Sequence, residues 1–94
     1  MLKYKLQPTA KYRKDRKLLK KQGADLSLLD TVIFKLANDE QLPPSFRDHP
    51  LHGKYRGYRE CHVDGLGDWL LIYKKVKGQL ILTLARTGSH TDLF

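Results

Sequence analysis

The chain predicts an α+β layered fold in the order strand, helix, helix, strand, strand, strand, with both helices on one face of the sheet. Three observations carry that prediction. Apolar and polar residues alternate towards both ends of the chain, as in half-buried strands; residues 9–39 repeat apolar positions at helical spacing; and residues 42–57 hold three prolines and two glycines, which interrupt any continuous element. Ninety-four residues suit one domain, 1–94, with a small core.

Residues 2–7 (LKYKLQ) put Leu2, Tyr4 and Leu6 on one face of a strand short enough for a sheet edge. Thr9 then caps a first helix, TAKYRKDRKLLKKQ, which Gly23 stops. Its apolar stripe is narrow (Tyr12, Leu18, Leu19), and Lys11, Arg13, Lys14, Arg16, Lys17, Lys20 and Lys21 cover most of the rest. A second helix begins near Asp25 or Ser27 and runs to about Asp39. Leu26, Leu29, Ile33 and Leu36, widened by Val32 and Ala37, make it the core helix. The short Gly-containing link predicts an antiparallel hairpin of the two. After an ordered loop over 42–57 come strands at 58–64, 68–76 and 79–87, the last two joined by a tight Lys77-Gly78 turn. Strict alternation places Tyr58, Glu60 and His62 on one face of their strand. It places Arg86 on the same side of the final strand as Leu80, Leu82 and Leu84.

A formal charge of +8 and a pI near 9.8 point to a polyanionic or acidic partner, RNA, DNA, an anionic membrane or an acidic protein. The cations of the first helix can neutralise phosphates, and can equally receive an acidic partner. No apolar run approaches the ~20 residues of a membrane span, and the basic N-terminus lacks the apolar stretch of a signal peptide, so a soluble, cytoplasmic protein is expected. The single cysteine, Cys61, cannot form an internal disulfide and reads as a small buried apolar group.

Chemistry concentrates at the C-terminal end. Residues 79–94, QLILTLARTGSHTDLF, leave a strand through a Gly-containing turn that carries Arg86, His90 and Phe94. Two further histidines, His49 and His52, sit in the Pro/Gly loop with Arg47, Lys54 and Arg56, and His62 lies in a strand. One HxxH pair without a CxxC or HExxH pattern is a poor zinc site, so no metal is expected. Dispersed histidines beside arginines suit RNA cleavage better. A base takes the ribose 2′-OH proton, an acid protonates the 5′-oxygen and a planar guanidinium offsets charge on the phosphorane.

The segments DHPLHGKYRGYRECHV, DWLLIYK and ARTGSHTDLF together resemble the YafQ branch of the RelE/ParE superfamily, small bacterial toxins of type II toxin–antitoxin pairs. The resemblance implies a RelE-like fold, two N-terminal helices on a twisted antiparallel sheet of about four strands. It implies ribosome-dependent endonucleolytic cleavage of mRNA in the A site, without a metal or other cofactor. The histidine of the DHPL loop is His49 and that of the YRECH strand is His62. Asp68 and Trp69 open the next strand, Arg86 and His90 belong to RTGSH, and Phe94 is the C-terminal aromatic. On this resemblance His62, Asp68 and His90 share the acid–base work with His49 assisting, and Arg86 stabilises the phosphate. Trp69 and Phe94 position or stack a base. Outside the family positions, Lys54 and Arg56 of the basic loop are expected to help hold the substrate. The implied partners are a cognate DinJ/RelB-like antitoxin, the ribosome with A-site mRNA, and operator DNA only through the antitoxin complex.

One segment departs from the family pattern. HVDGLGDW is two residues longer than the usual link between histidine and aspartate and has two glycines and no proline, which makes Asp64 a rival to Asp68. Two other functions fit the superfamily: a ParE-like toxin that binds gyrase without cutting RNA, and a catalytically inactive RNA- or protein-binding module.

Overall fold

The computed structural model describes residues 2–64 and 67–94. Five strands form one sheet: β1 (Lys5–Pro8), β2 (His49–Pro50), β3 (Arg59–His62), β4 (Trp69–Val76) and β5 (Ile81–Ser89), in the spatial order β1-β5-β4-β3-β2. Helices α1 (Ala10–Lys21) and α2 (Leu26–Ala37) follow β1, and a single turn, α3 (His90–Leu93), follows β5. The α+β class, the two-helix hairpin and the edge position of β1 are as expected. The sheet is mixed rather than antiparallel, because β1 lies parallel to β5 with Leu6 opposite Leu82, while β2 to β5 are antiparallel. A parallel pair needs a long crossover, and the helices and intervening strands supply it. The fifth strand is β2, a two-residue bridge inside the stretch expected to be loop.

Local chemistry explains the helix boundaries. The Thr9 hydroxyl accepts the Tyr12 N–H and the Asp25 carboxylate accepts the Ser27 N–H, so both helices begin on capping side chains. Helix α2 buries Leu29, Val32, Ile33, Leu36 and Ala37 against the sheet. The inward stripe of α1 differs from the expected one. Tyr12 is buried and Leu19 half-buried, but Leu18 is 52% exposed, and Asp15 and Arg16 occupy the remaining half-buried positions. Both charges are paired: Arg16 makes two hydrogen bonds to Asp30 of α2, at 2.8 and 3.0 Å, and Asp15 reaches β5. Arg16 therefore ties the hairpin together, and Lys11, Arg13, Lys14, Lys17, Lys20 and Lys21 remain as the exposed basic face.

Two apolar clusters sandwich the sheet. The larger joins Tyr12 and the α2 stripe to Tyr4, Cys61, Val63, Leu71, Tyr73, Leu82 and Leu84. The smaller lies on the opposite face, where Leu70, Ile72, Ala85 and Leu93 pack with Leu51, Tyr55 and Tyr58. The 51–58 segment and α3 thus cover part of the helix-free face. Cys61 is fully buried, and burial pushes its thiol far above the ordinary range, consistent with a packing role.

Candidate active site

Strand pairing decides which side chains share the helix-free face. Across β3, β4 and β5 one row reads Glu60, Ile72, Arg86, and the next reads His62, Leu70, Gly88. His49 of β2 stands opposite Glu60 and extends the first row. Arg86 joins this face because of an irregularity that strict alternation cannot express. Tyr73 pairs with Leu84 but Ile72 pairs with Arg86, so Ala85 is a one-residue bulge. Before the bulge Leu82 and Leu84 point into the helix-side core; after it Thr87 does, and Arg86 is turned to the other side. The expected grouping of Arg86 with Leu82 and Leu84 is corrected accordingly.

Three of the four histidines have a neighbour that positions them, and His52 is exposed on the loop. The His62 Nδ1 lies 2.9 Å from the Gly67 carbonyl, which can only accept, so Nδ1 carries the proton and Nε2 is the free lone pair of the neutral ring. His49 Nδ1 donates in the same way to the Arg47 carbonyl, and its Nε2 lies 3.5 Å from Oε1 of the buried Glu60. His90 opens α3. Its backbone N–H is held 3.1 Å from Asp68 Oδ1, and its ring lies against that of Phe94, with centroids 4.9 Å apart. Phe94, Tyr55 and Tyr58 continue as an edge-to-face chain, at 5.7 and 6.3 Å. His90, exposed, and Phe94, 56% exposed, stand at the rim.

Arg86 is the most constrained member of the group. Its Nε and Nη2 donate to the two carboxylate oxygens of Asp15, at 2.7 and 3.0 Å, with both side chains largely buried. This pairing, with Tyr55 contributing, raises the guanidinium well above its ordinary pKa and keeps it charged at any working pH. Beside it a pocket of about 340 Å³ is lined by Thr9, Lys11, Lys54, Tyr55, Tyr58 and Arg86. Lys54 therefore lines this pocket, whereas Arg56 is exposed on the loop outside it.

Trp69 is not on this face. It packs against the helix-side core, and its indole N–H donates to the buried Thr87 hydroxyl at 2.9 Å, which in turn donates to the Leu70 carbonyl. The aromatic rings that do gather beside Arg86 and His90 are those of Tyr55, Tyr58 and Phe94. The partly exposed remainder of Trp69 lines a shallow groove with Asp64, Asp68 and Gly88. In that groove Asp68 acts on the α3 backbone, whereas Asp64 Oδ1 accepts the Gly67 N–H at 2.7 Å and shapes the β3–β4 link. A Cβ at Gly67 would run into the Asp64 carboxylate, so a larger residue there would displace that side chain. Gly65 and Leu66 of that link lie outside the described residues. Among the described residues no three His, Cys, Asp or Glu side chains gather as a metal site, and no helix is long and apolar enough to cross a membrane.

Sequence reading missed Asp15, Glu60 and the two tyrosines. Asp15 did leave a signal: it is the one acid in a helix of seven cations, three residues after Tyr12 and so on the same stripe. Alternation did place Tyr58 and Glu60 on the face of His62, but their partners Phe94 (through Tyr55) and His49 come from other elements that local spacing does not show.

Comparison with known proteins agrees with this fold. The family described as the bacterial toxin of type II toxin–antitoxin systems, YafQ, matches residues 4–94. The mRNA interferase toxin YafQ of Escherichia coli K12 is 38% identical over 95 residues, covering 100% of this chain and 99% of that protein. The E. coli DinJ–YafQ toxin–antitoxin complex contains a chain of the same fold, with a TM-score of 0.85 at 37% identity and 99% coverage of each chain. A metal-bound toxin from Helicobacter pylori superposes with a TM-score of 0.87 at 42% identity and 100% coverage of both. Matched along nearly its whole length in sequence and in fold, this chain belongs to the YafQ family of bacterial toxins.

Proposed function

We propose that this chain is a ribosome-dependent mRNA endoribonuclease, an mRNA interferase that cuts in the A site and is neutralised by a cognate DinJ-like antitoxin. The observation that carries the reading is Arg86, a charged and oriented guanidinium on the same sheet face as His62 and His49. His90 and an aromatic shelf rim that face, and a pocket lies beside it. A scissile phosphate seated on Arg86 would have imidazoles on more than one side, as in-line attack by the ribose 2′-OH requires. With Nδ1–H tied to a carbonyl, His62 offers Nε2 as the base for that hydroxyl. His90 or His49 returns a proton to the departing 5′-oxygen, leaving a 2′,3′-cyclic phosphate and a 5′-hydroxyl. Glu60 Oε1, 3.5 Å from His49 Nε2, orients that ring. Asp68 holds the start of α3 and so the position of His90, while Phe94 and Tyr55 stack an A-site base. No step requires a metal.

The exposed cations of α1, with Lys54 and Arg56, supply contacts to ribosomal RNA. An acidic or amphipathic antitoxin segment laid across them would block docking, and operator DNA would be reached only through that complex. Defined mRNA on programmed ribosomes, in EDTA, tests the reading. Wild type is expected to cut at the A site, His90→Ala to lose the cut while still binding ribosomes, and naked mRNA to stay intact. Folded wild type that leaves the mRNA whole on ribosomes sinks the nuclease, and inhibition of gyrase by that same protein would point to the ParE-like alternative.

A further inference from the structure

Helix α1 does more than present cations, because its single carboxylate reaches the reacting end of the molecule. β1 pairs with residues 81–84 of β5, and the chain then turns away into α1. Beyond Leu84, side chains serve the outer edge of β5. The Thr9 hydroxyl lies 3.0 and 2.9 Å from the Leu84 and Ala85 carbonyls, and the Asp15 carboxylate accepts the Thr87 N–H at 3.2 Å. The same carboxylate takes Nε and Nη2 of Arg86. One side chain therefore fixes both the strand edge just past the bulge and the guanidinium that the bulge redirects.

From this geometry we infer that Asp15 is the positioning residue of the phosphate-binding arginine, holding the Arg86 fork by one edge so that its remaining donors face the substrate. A guanidinium has five N–H groups. Asp15 accepts from Nε and once from Nη2, so the Tyr55 hydroxyl and a phosphate share the remaining three hydrogens of Nη1 and Nη2. Without the clamp, the side chain regains its rotamers and must be ordered anew by each substrate, and misplacement by about 1 Å can cost on the order of 100-fold in rate. With only 15% of the Asp15 side chain exposed, and 21% of Arg86, water is a poor substitute for the carboxylate. The groups facing the pair are Tyr55 from the loop and Thr87 from β5, with Lys11 and Lys54 lining the adjacent pocket. The inference rests on the nuclease reading for its consequence and on the pairing alone for its geometry.

The test is a double-mutant cycle of Asp15→Asn and Arg86→Ala in single-turnover cleavage on programmed ribosomes. Asp15→Asn retains an oxygen for the Thr87 N–H, so folding is expected to persist, checked by thermal melting. It is expected to slow the saturated cleavage rate by about 10- to 100-fold, with half-saturation in ribosomes unchanged. In the Arg86→Ala background it is expected to cost nothing further. Losses that multiply in the double variant, or an Asp15→Asn enzyme as fast as wild type, overturn the inference. If wild type does not cut at all, the nuclease reading falls separately. The same cycle is then read by fluorescence anisotropy with a 2′-deoxy trinucleotide: weaker binding from Asp15→Asn only when Arg86 is present upholds the clamp, and an equal effect in both backgrounds rejects it.

Discussion

Trp69 and Thr87 illustrate how much a single hydrogen bond redirects an expectation. The family resemblance implies that Trp69 stacks a base, yet its indole N–H is bonded to the hydroxyl of Thr87, a residue that is 1% exposed. Trp69→Phe keeps the ring and removes the donor. It is expected to lower stability by about 1 kcal/mol, seen as a shifted urea midpoint with an unchanged slope, and to leave cleavage near wild type. If Trp69 instead stacks on RNA as a catalytic necessity, Trp69→Ala will abolish cutting at a temperature where the variant is fully folded. At the same scale Arg86 and His62 were recognisable by residue type, but their orientations come from partners 71 and 5 positions away. The nearer partner, at Gly67, is just close enough for sequence to suggest.

Among the elements, the connection between α2 and the sheet is an ion-pair cluster at a left-handed backbone position. Asp39 (φ 61°) follows the C-terminus of α2 and accepts from Lys3, just before β1, and from Lys75 of β4, at 2.9 and 2.7 Å. These bonds to Lys75 and Lys3 hold its carboxyl at about 2, against an ordinary 3.8. A carboxylate whose folded pKa is depressed stabilises fully above its unfolded value and loses that contribution as pH falls towards the folded one. The melting-temperature gap between wild type and Asp39→Asn should therefore be constant above about pH 5 and close as pH is lowered towards 2. A gap independent of pH would mean that the pairs are screened away by solvent. Element types and order were legible in sequence because periodicity survives without neighbours; the bulge at Ala85, the parallel pairing of β1 and the bridge at His49–Pro50 depend on which strand lies alongside.

Over the whole molecule, charge is distributed as one basic helix face outside and paired charges within. Replacing Lys14, Lys17 and Lys21 by Gln leaves the Arg16–Asp30 and Arg86–Asp15 pairs untouched. Ribosome binding is expected to weaken, and its log–log salt dependence to flatten by about 0.7–0.9 per phosphate contact removed. Cleavage by the ribosome-bound toxin should persist. Unchanged affinity and slope in sedimentation at several salt concentrations would move the docking surface off α1.

By itself the sequence determined the α+β class, the Thr9 cap of α1, the core face of α2, the basic surface, and the histidines and arginine that make up the candidate site. Each of these follows from local spacing or from composition. Only tertiary structure decided that Arg86 turns to the histidine face, that Asp15 holds it, that Trp69 faces inward and that Tyr55 and Phe94 make the shelf. The physical reason is that strand pairing and buried polar satisfaction are long-range conditions. A bulge shifts every side chain after it to the other face, and a buried charge must find its partner wherever the fold brings one.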